Sequence, residues 1–307
     1  LGPDSTYWPK AQGFDVNVGG FSAGSPVADG GEGYFSPYGN PRLEDGPEGE
    51  YLTDRLGREA ADLIDRFQED PFLIYMSFYS VHIPMQAPRS RVAYYEDKAV
   101  DLPNDLVFGR REQVWPTDEP RRERLIQNHP TYAAMVESVD RQVGRILNRL
   151  EELGLTEETV VVFTSDHGGL STAEGLPTSN RPLQAGKGWL NEGGIRVPFL
   201  VRWPGVTEPG SVSDEPVVST DFYPTMLEIA GVRARPEQHE DGVSLTPLLR
   251  NGDAELDREA LFWHYPHYSN QGGLPGGAIR MGDYKLIEGY EEGRTFLYDI
   301  DEDIEEQ

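Results

Sequence analysis

The sequence predicts an α/β fold, with a doubly wound, mostly parallel sheet followed by a small antiparallel subdomain. Three observations predict it. A buried-strand pattern at Phe72–Tyr79, a long amphipathic stretch from Pro130 to Leu153 and a second apolar run at Val160–Phe163 spell strand, helix, strand. The second run is short, β-branched and unbroken, as in a strand buried on both faces. From about Asp253 the texture changes to short strand-like runs separated by Gly and Asp, which predicts the antiparallel sheet. The expected division is residues 1–252 for the α/β domain and 253–307 for the subdomain.

Residues 1–49 are rich in Gly, Pro, Asn and Asp and read as irregular loop, with short strands expected around Gly13–Val16. A helix is predicted from about Glu50 to Glu69, because Leu52, Leu56, Ala60, Leu63, Ile64 and Phe67 share one face. Asp70-Pro71 ends it, and the Phe72–Tyr79 run leads into Ser80-Val81-His82-Ile83-Pro84. Residues 85–128 read as a polar, Pro-punctuated surface excursion. The helix after Pro130 carries Val136, Val139, Val143, Ile146, Leu150 and Leu153 at spacings of three and four, and Gly154 stops it. A strand at Phe199–Trp203, a short helix over Asp221–Ala230 and four strands around 261–263, 278–281, 284–287 and 295–298 complete the reading.

The composition excludes several classes. Lys and Arg number 27 against 53 acids, a formal charge of −26, which argues against nucleic acid or an anionic membrane surface as partner. There is no cysteine, hence no disulfide framework, thiolate metal site or thiol nucleophile. No apolar run approaches the roughly 20 residues of a membrane-spanning helix. Lysine is scarce, confined to Lys10, Lys98, Lys187 and Lys285.

Chemistry concentrates where the second apolar run stops, at Ser165-Asp166-His167-Gly168-Gly169. Open α/β sheets bind ligands at the carboxyl ends of their strands, and the two glycines let the backbone turn and approach a ligand closely. An acid beside an imidazole is half of a metal site or a plain Asx turn that ends a strand.

Taken together, Thr-Ser-Asp-His-Gly, Ala185-Gly186-Lys187-Gly188-Trp189 and Glu192-Gly193-Gly194-Ile195-Arg196-Val197-Pro198 resemble type I, formylglycine-dependent sulfatases of the alkaline-phosphatase-like superfamily. Gly13-Phe14-Asp15, Tyr51-Leu52-Thr53-Asp54, Tyr79–Pro84, Tyr132–Val136 and Leu297-Tyr298-Asp299 agree in order. The resemblance implies an α/β/α sandwich and a sulfuric ester hydrolase acting on a small-molecule or glycan sulfate. It further implies a divalent metal, Ca²⁺ by preference, and a periplasmic or extracellular location. The departures are specific. The family converts Cys or Ser in Cys/Ser-x-Pro-x-Arg to formylglycine, and it carries an Asp-Asp metal pair; neither motif occurs here. Leu1-Gly2 looks like the tail of the family's Gly-Lys-Trp-His-Leu-Gly. The resemblance therefore implies that the nucleophile region lies ahead of Leu1, and that this chain alone is inactive.

The resemblance assigns roles residue by residue. Asp166 and His167 match the metal pair, His82 the histidine that contacts sulfate and protonates the leaving alcohol, and Lys187 the lysine that holds the sulfate oxygens. His264 and His267, backed by the Gly272–Gly277 loop, suit a sugar-binding wall as well as plain packing. Glu192 and Arg196 read as an ion pair bracing the Lys187 loop, and His129 and His239 as structural or exposed. The alternatives are a superfamily phosphatase or phosphonate hydrolase, and a non-catalytic binding protein that has lost its nucleophile.

Overall fold

Helix α1 (Leu52–Phe67) forms where the apolar spacing predicts it, and Leu52, Leu56, Ala60 and Ile64 are its buried line. This computed structural model describes residues 4–27, 33–102, 107–111, 121–291 and 293–307; the Leu1-Gly2 motif lies outside them. The chain divides into two compact units, residues 1–105 with 127–156, and residues 106–126 with 157–307.

In the first unit α1 packs with α3 (Pro130–Glu152), and α2 (Arg89–Ala99) packs on α3. The α1–α3 seam is not the apolar stripe that the spacing of α3 predicts. Ala134, Met135, Ser138, Gln142 and Leu150 are buried, while Val136 is 46% exposed. The helix is rotated because Asp54 of α1 draws polar groups to it. Gln142 donates to Asp54 at 2.8 Å, and Arg91 of α2 meets both oxygens of the same carboxylate at 3.2 and 3.0 Å. Gly57 makes room for this, since a Cβ there would sit 2.4 Å from Gln142 Oε1.

The core of this unit is aromatic. Tyr34, Tyr38, Leu43, Tyr51, Leu52, Leu56 and Met135 form one buried cluster, with Tyr34 and Tyr51 stacked at 5.7 Å. No strand forms at Gly13–Val16; a 3₁₀ turn over Pro9–Gln12 closes on Gly13 at φ +103° instead. The Phe72–Tyr79 run is extended but joins no ladder among the described residues. Its side chains still alternate, with Leu73 and Tyr75 68% and 80% exposed. The described residues of the 85–128 stretch include α2 and a short hairpin, regular elements that its composition does not predict.

That hairpin, β1 (Phe108–Arg111) with β2 (Arg121–Arg124), belongs to the second unit. So do β3 (Val161–Thr164), α4 (Glu192–Ile195) and β4 (Phe199–Arg202). Strand β3 forms at the predicted place but pairs antiparallel with β4, Val161 opposite Arg202, and no parallel ladder occurs among the described residues. Phe163 and Leu200, opposite one another, are 42% and 59% exposed, so this pair is not buried on both faces. Helices α5 (Phe222–Ile229) and α6 (Thr246–Arg250) follow. Asp221, just ahead of α5, is fully buried and holds Arg258 at 2.8 Å.

The predicted small sheet is present as β5 (Leu261–Tyr265), β6 (Gly276–Met281), β7 (Tyr284–Gly289) and β8 (Thr295–Asp299), antiparallel throughout and ordered in sequence. Its mixture with helices makes the chain α/β, as the sequence predicts. No described helix is long and apolar enough to cross a membrane.

Candidate functional site

Each unit presents one of the turns that the sequence singles out. In the first unit His82 follows Tyr79, to whose carbonyl its N–H donates at 2.8 Å. The turn is held from residues far upstream. Tyr34 Oη donates to the His82 carbonyl at 2.8 Å, Gln86 Oε1 accepts the Tyr34 N–H at 2.8 Å, and Tyr51 Oη donates to the Gln86 carbonyl at 2.8 Å. The hydroxyls of Thr53 and Ser80 lie 2.6 Å apart. Burial pushes the Tyr34 phenol far above its ordinary range and Tyr79 up to about 12, so both remain neutral donors. His82 Nδ1 lies 2.9 Å from the Ile83 carbonyl. A carbonyl only accepts, so Nδ1 carries the proton and Nε2 is the atom that can take or give one.

In the second unit β3 delivers Asp166 and His167. The carboxylate is 81% exposed and the imidazole 39%. Asp166 Oδ1 accepts the His167 N–H at 3.0 Å, an Asx turn, and Ser165 Oγ donates to the His167 carbonyl at 3.0 Å. His167 Nδ1 lies 2.9 Å from the Gly168 carbonyl and therefore carries the ring proton. Nε2, on the other side of the ring, lies 3.2 Å from Asp166 Oδ2. A ring that gives its other N–H to a main-chain carbonyl is the usual posture of a metal-ligating histidine. One carboxylate oxygen and one imidazole nitrogen so placed fit two positions of a divalent-metal shell. No group of three or more His, Asp or Glu is placed to hold a metal among the described residues.

Lys187 lies on a loop packed directly on this turn. Its N–H donates to the Gly169 carbonyl at 3.1 Å, and the Gly168 N–H donates to the Gly194 carbonyl at 2.9 Å. The packing is backbone on backbone. A Cβ at Gly168 would lie 1.7 Å from the Gly193 carbonyl oxygen, and one at Gly186 would lie 2.1 Å from that of Gly169. Three side chains that the sequence reading passed over fasten the loop. Glu123 of β2, 1% exposed, accepts the N–H of Ala185, whose φ is +60°. Asn180 donates to the Ala185 carbonyl at 2.8 Å, and Ser171 Oγ donates to the same oxygen at 2.8 Å. Glu123 acts across 62 residues, and all three meet main-chain groups that every residue carries, so nothing local marks them.

Glu192 pairs with Arg196 at 3.6 Å, as the sequence predicts, but its stronger partner is Lys285 of β7, 2.8 Å away and fully buried. Lys285 also meets Glu306 at 2.9 Å. Burial pushes the Glu306 carboxyl up, against the pull of that ammonium. Of the four scarce lysines, then, Lys285 is a core cation.

His264 and His267 are exposed. His264 Nδ1 lies 2.6 Å from Tyr290 Oη, and His267 stands edge-on to Tyr265 at 5.4 Å. The segment after them touches the Lys187 loop: Trp189 Nε1 donates to the Gln271 carbonyl at 3.1 Å, and a Cβ at Gly273 would lie 1.7 Å from the Gly188 carbonyl oxygen. His129 caps α3, Nδ1 accepting the Tyr132 N–H at 3.3 Å. His239 stands edge-on to Tyr223 at 6.1 Å.

The chain is similar to known proteins. A family profile described as Sulfatase matches residues 3–232, and one described as N-sulphoglucosamine sulphohydrolase, C-terminal, matches residues 185–307. A sulfatase of Formosa agariphila is 36% identical over 286 residues, 87% of this chain and 47% of that protein. The steryl-sulfatase of Mus musculus is 37% identical over 219 residues, 70% of this chain and 30% of that protein. Among solved structures, Ps i-CgsB in complex with k-i-k-neocarrahexaose superposes with a TM-score of 0.67 at 29% identity, over 86% of this chain and 51% of that one. The chain thus spans 30% to 51% of the length of these relatives. With a sulfatase profile covering most of its residues, on an α/β fold shared with a solved likeness, the chain belongs to the sulfatase family.

Proposed function

We propose that the protein hydrolyses sulfate monoesters of a carbohydrate or aryl alcohol. The observation that carries this reading is the bond from the Lys187 N–H to the Gly169 carbonyl, two residues beyond His167. It joins a cationic loop to a carboxylate–imidazole pair, the two components that an anionic ester needs. Asp166 and His167 supply two ligands to one divalent cation, Ca²⁺ by family preference; when bound, such an ion draws charge from a sulfate oxygen. Lys187 holds the sulfate oxygens and offsets the charge that builds on them. His82 gives a proton from Nε2 to the departing alcohol oxygen. His264 and His267 contact the alcohol portion of the substrate. The family nucleophile, formylglycine, has no precursor motif in this chain. A glycan as substrate is supported by the carbohydrate bound to Ps i-CgsB. A periplasmic or extracellular location accompanies this reading, and cell fractionation tests it.

Turnover of sulfate, phosphate and phosphonate esters by the intact protein tests the reading. Sulfate esters are expected to be preferred, with Lys187→Ala costing about 2–4 kcal/mol of transition-state stabilisation, the scale of one preorganised donor. Preference for a phosphorus ester overturns it in favour of a phosphatase, and binding without turnover in favour of a non-catalytic protein. Metal analysis adds a check, since Asp166→Ala is expected to lower bound Ca²⁺, and equal metal content in both proteins removes Asp166 from the site.

A further inference from the structure

Asn180 lies between the two loops that carry Asp166, His167 and Lys187, and its side-chain amide makes three hydrogen bonds to their backbones. Oδ1 accepts the Gly169 N–H at 3.1 Å. Nδ2 donates to the Gly169 carbonyl at 2.8 Å and to the Ala185 carbonyl at 2.8 Å. Gly169 is two residues beyond His167, and Ala185 is two residues before Lys187. The Gly169 oxygen also accepts the Lys187 N–H at 3.1 Å, so one carbonyl is shared by the amide and by the backbone of the lysine. A side chain of this length needs one acceptor and two donors to make this set, and only asparagine has them. The fit is close, because a Cβ at Gly186 would lie 2.6 Å from Nδ2. Glu123 holds the other side of the Ala185 residue through its N–H, so a shift of the amide cannot be absorbed by turning that residue.

We infer that Asn180 is a positioning residue which sets where the Lys187 ammonium stands relative to the Asp166–His167 pair. It touches neither substrate nor metal and acts through the backbone to which both groups are attached. The inference rests on the reading of Lys187 as the sulfate-binding cation, and the test separates the two.

The experiment is a double-mutant cycle on sulfate-ester turnover in the intact protein, with Asn180→Ala, Lys187→Ala and both together. If Asn180 acts through Lys187, Asn180→Ala lowers kcat by about 10- to 100-fold alone but by less than about 3-fold when Lys187 is already alanine. Equal losses in the two backgrounds overturn the inference and make Asn180 a general prop of the fold. Near-normal turnover of Lys187→Ala alone instead sinks the role given to Lys187. The position of the lysine is then read without activity, by NMR of the reductively methylated lysines, of which the chain has four. Asn180→Asp keeps the shape but removes both donors, and it serves also where the alanine variant does not fold. It is expected to move the titration of the Lys187 signal and leave that of Lys98 in place. An unmoved Lys187 signal overturns the inference.

Discussion

Tyr34 donates its hydroxyl to the main-chain carbonyl of His82, 48 residues away in sequence, at 2.8 Å. Tyr34 is fully buried and the bond partly so, and it holds the turn that carries the imidazole. Tyr34→Phe removes the donor and strands a carbonyl, so it is expected to cost about 1–3 kcal/mol of stability, read by urea unfolding. On the role proposed for His82, Tyr34→Phe and His82→Ala should both slow esters of poorly acidic alcohols more than activated aryl sulfates. Equal slowing of both substrate types by His82→Ala would make that histidine a binding or structural residue.

Alkali should unfold the first unit through its tyrosines. Burial raises the phenols of Tyr34, Tyr38, Tyr51 and Tyr79, the last to about 12. Above the unfolded value of about 10 the unfolded chain releases protons that the folded chain retains, so stability falls as pH rises. Melting temperature is expected to be insensitive to these groups below that value and to drop steeply between it and about 12. Tyrosinate absorbance should appear together with unfolding; its appearance well before unfolding would contradict the burial.

Lys285 neutralises two buried carboxylates, Glu192 at 2.8 Å and Glu306 at 2.9 Å. Lys285→Met leaves both charges in the interior, and a loss of about 3–5 kcal/mol is expected in urea unfolding. Adding Glu306→Gln should recover part of it, since one buried charge is removed with its lost partner. A double variant no more stable than Lys285→Met would show the three groups to be uncoupled.

The extended Phe72–Tyr79 run presents Leu73 and Tyr75 to solvent at 68% and 80% exposure. An unpaired, apolar extended segment recruits other chains. Replacing both residues with lysine should therefore reduce association in size-exclusion chromatography while changing stability by less than about 0.5 kcal/mol. A loss well above about 1 kcal/mol would mean that these side chains are covered.

The sequence by itself determined the features that depend on near neighbours. The span of α1, the start of α3 at Pro130 and the four strands of the C-terminal sheet follow from periodicity and from Pro and Gly punctuation, and each forms within a few residues of its predicted bounds. The Asp166–His167 turn and the Lys187 loop were legible too, because polar and glycine residues clustered at a strand end have a local signature. Tertiary structure alone decided what each of these meets. Asp54 turns the buried face of α3 toward Ser138 and Gln142, which no count of apolar positions anticipates. Of two scarce lysines, Lys285 goes to the core and Lys187 to a glycine loop, and only the carboxylates of Glu192 and Glu306 distinguish them. Tyr34 and Glu123 act across 48 and 62 residues, and their partners are main-chain groups that every residue carries. A backbone carbonyl or N–H leaves no trace in the sequence, so the side chain that will satisfy it is chosen by packing.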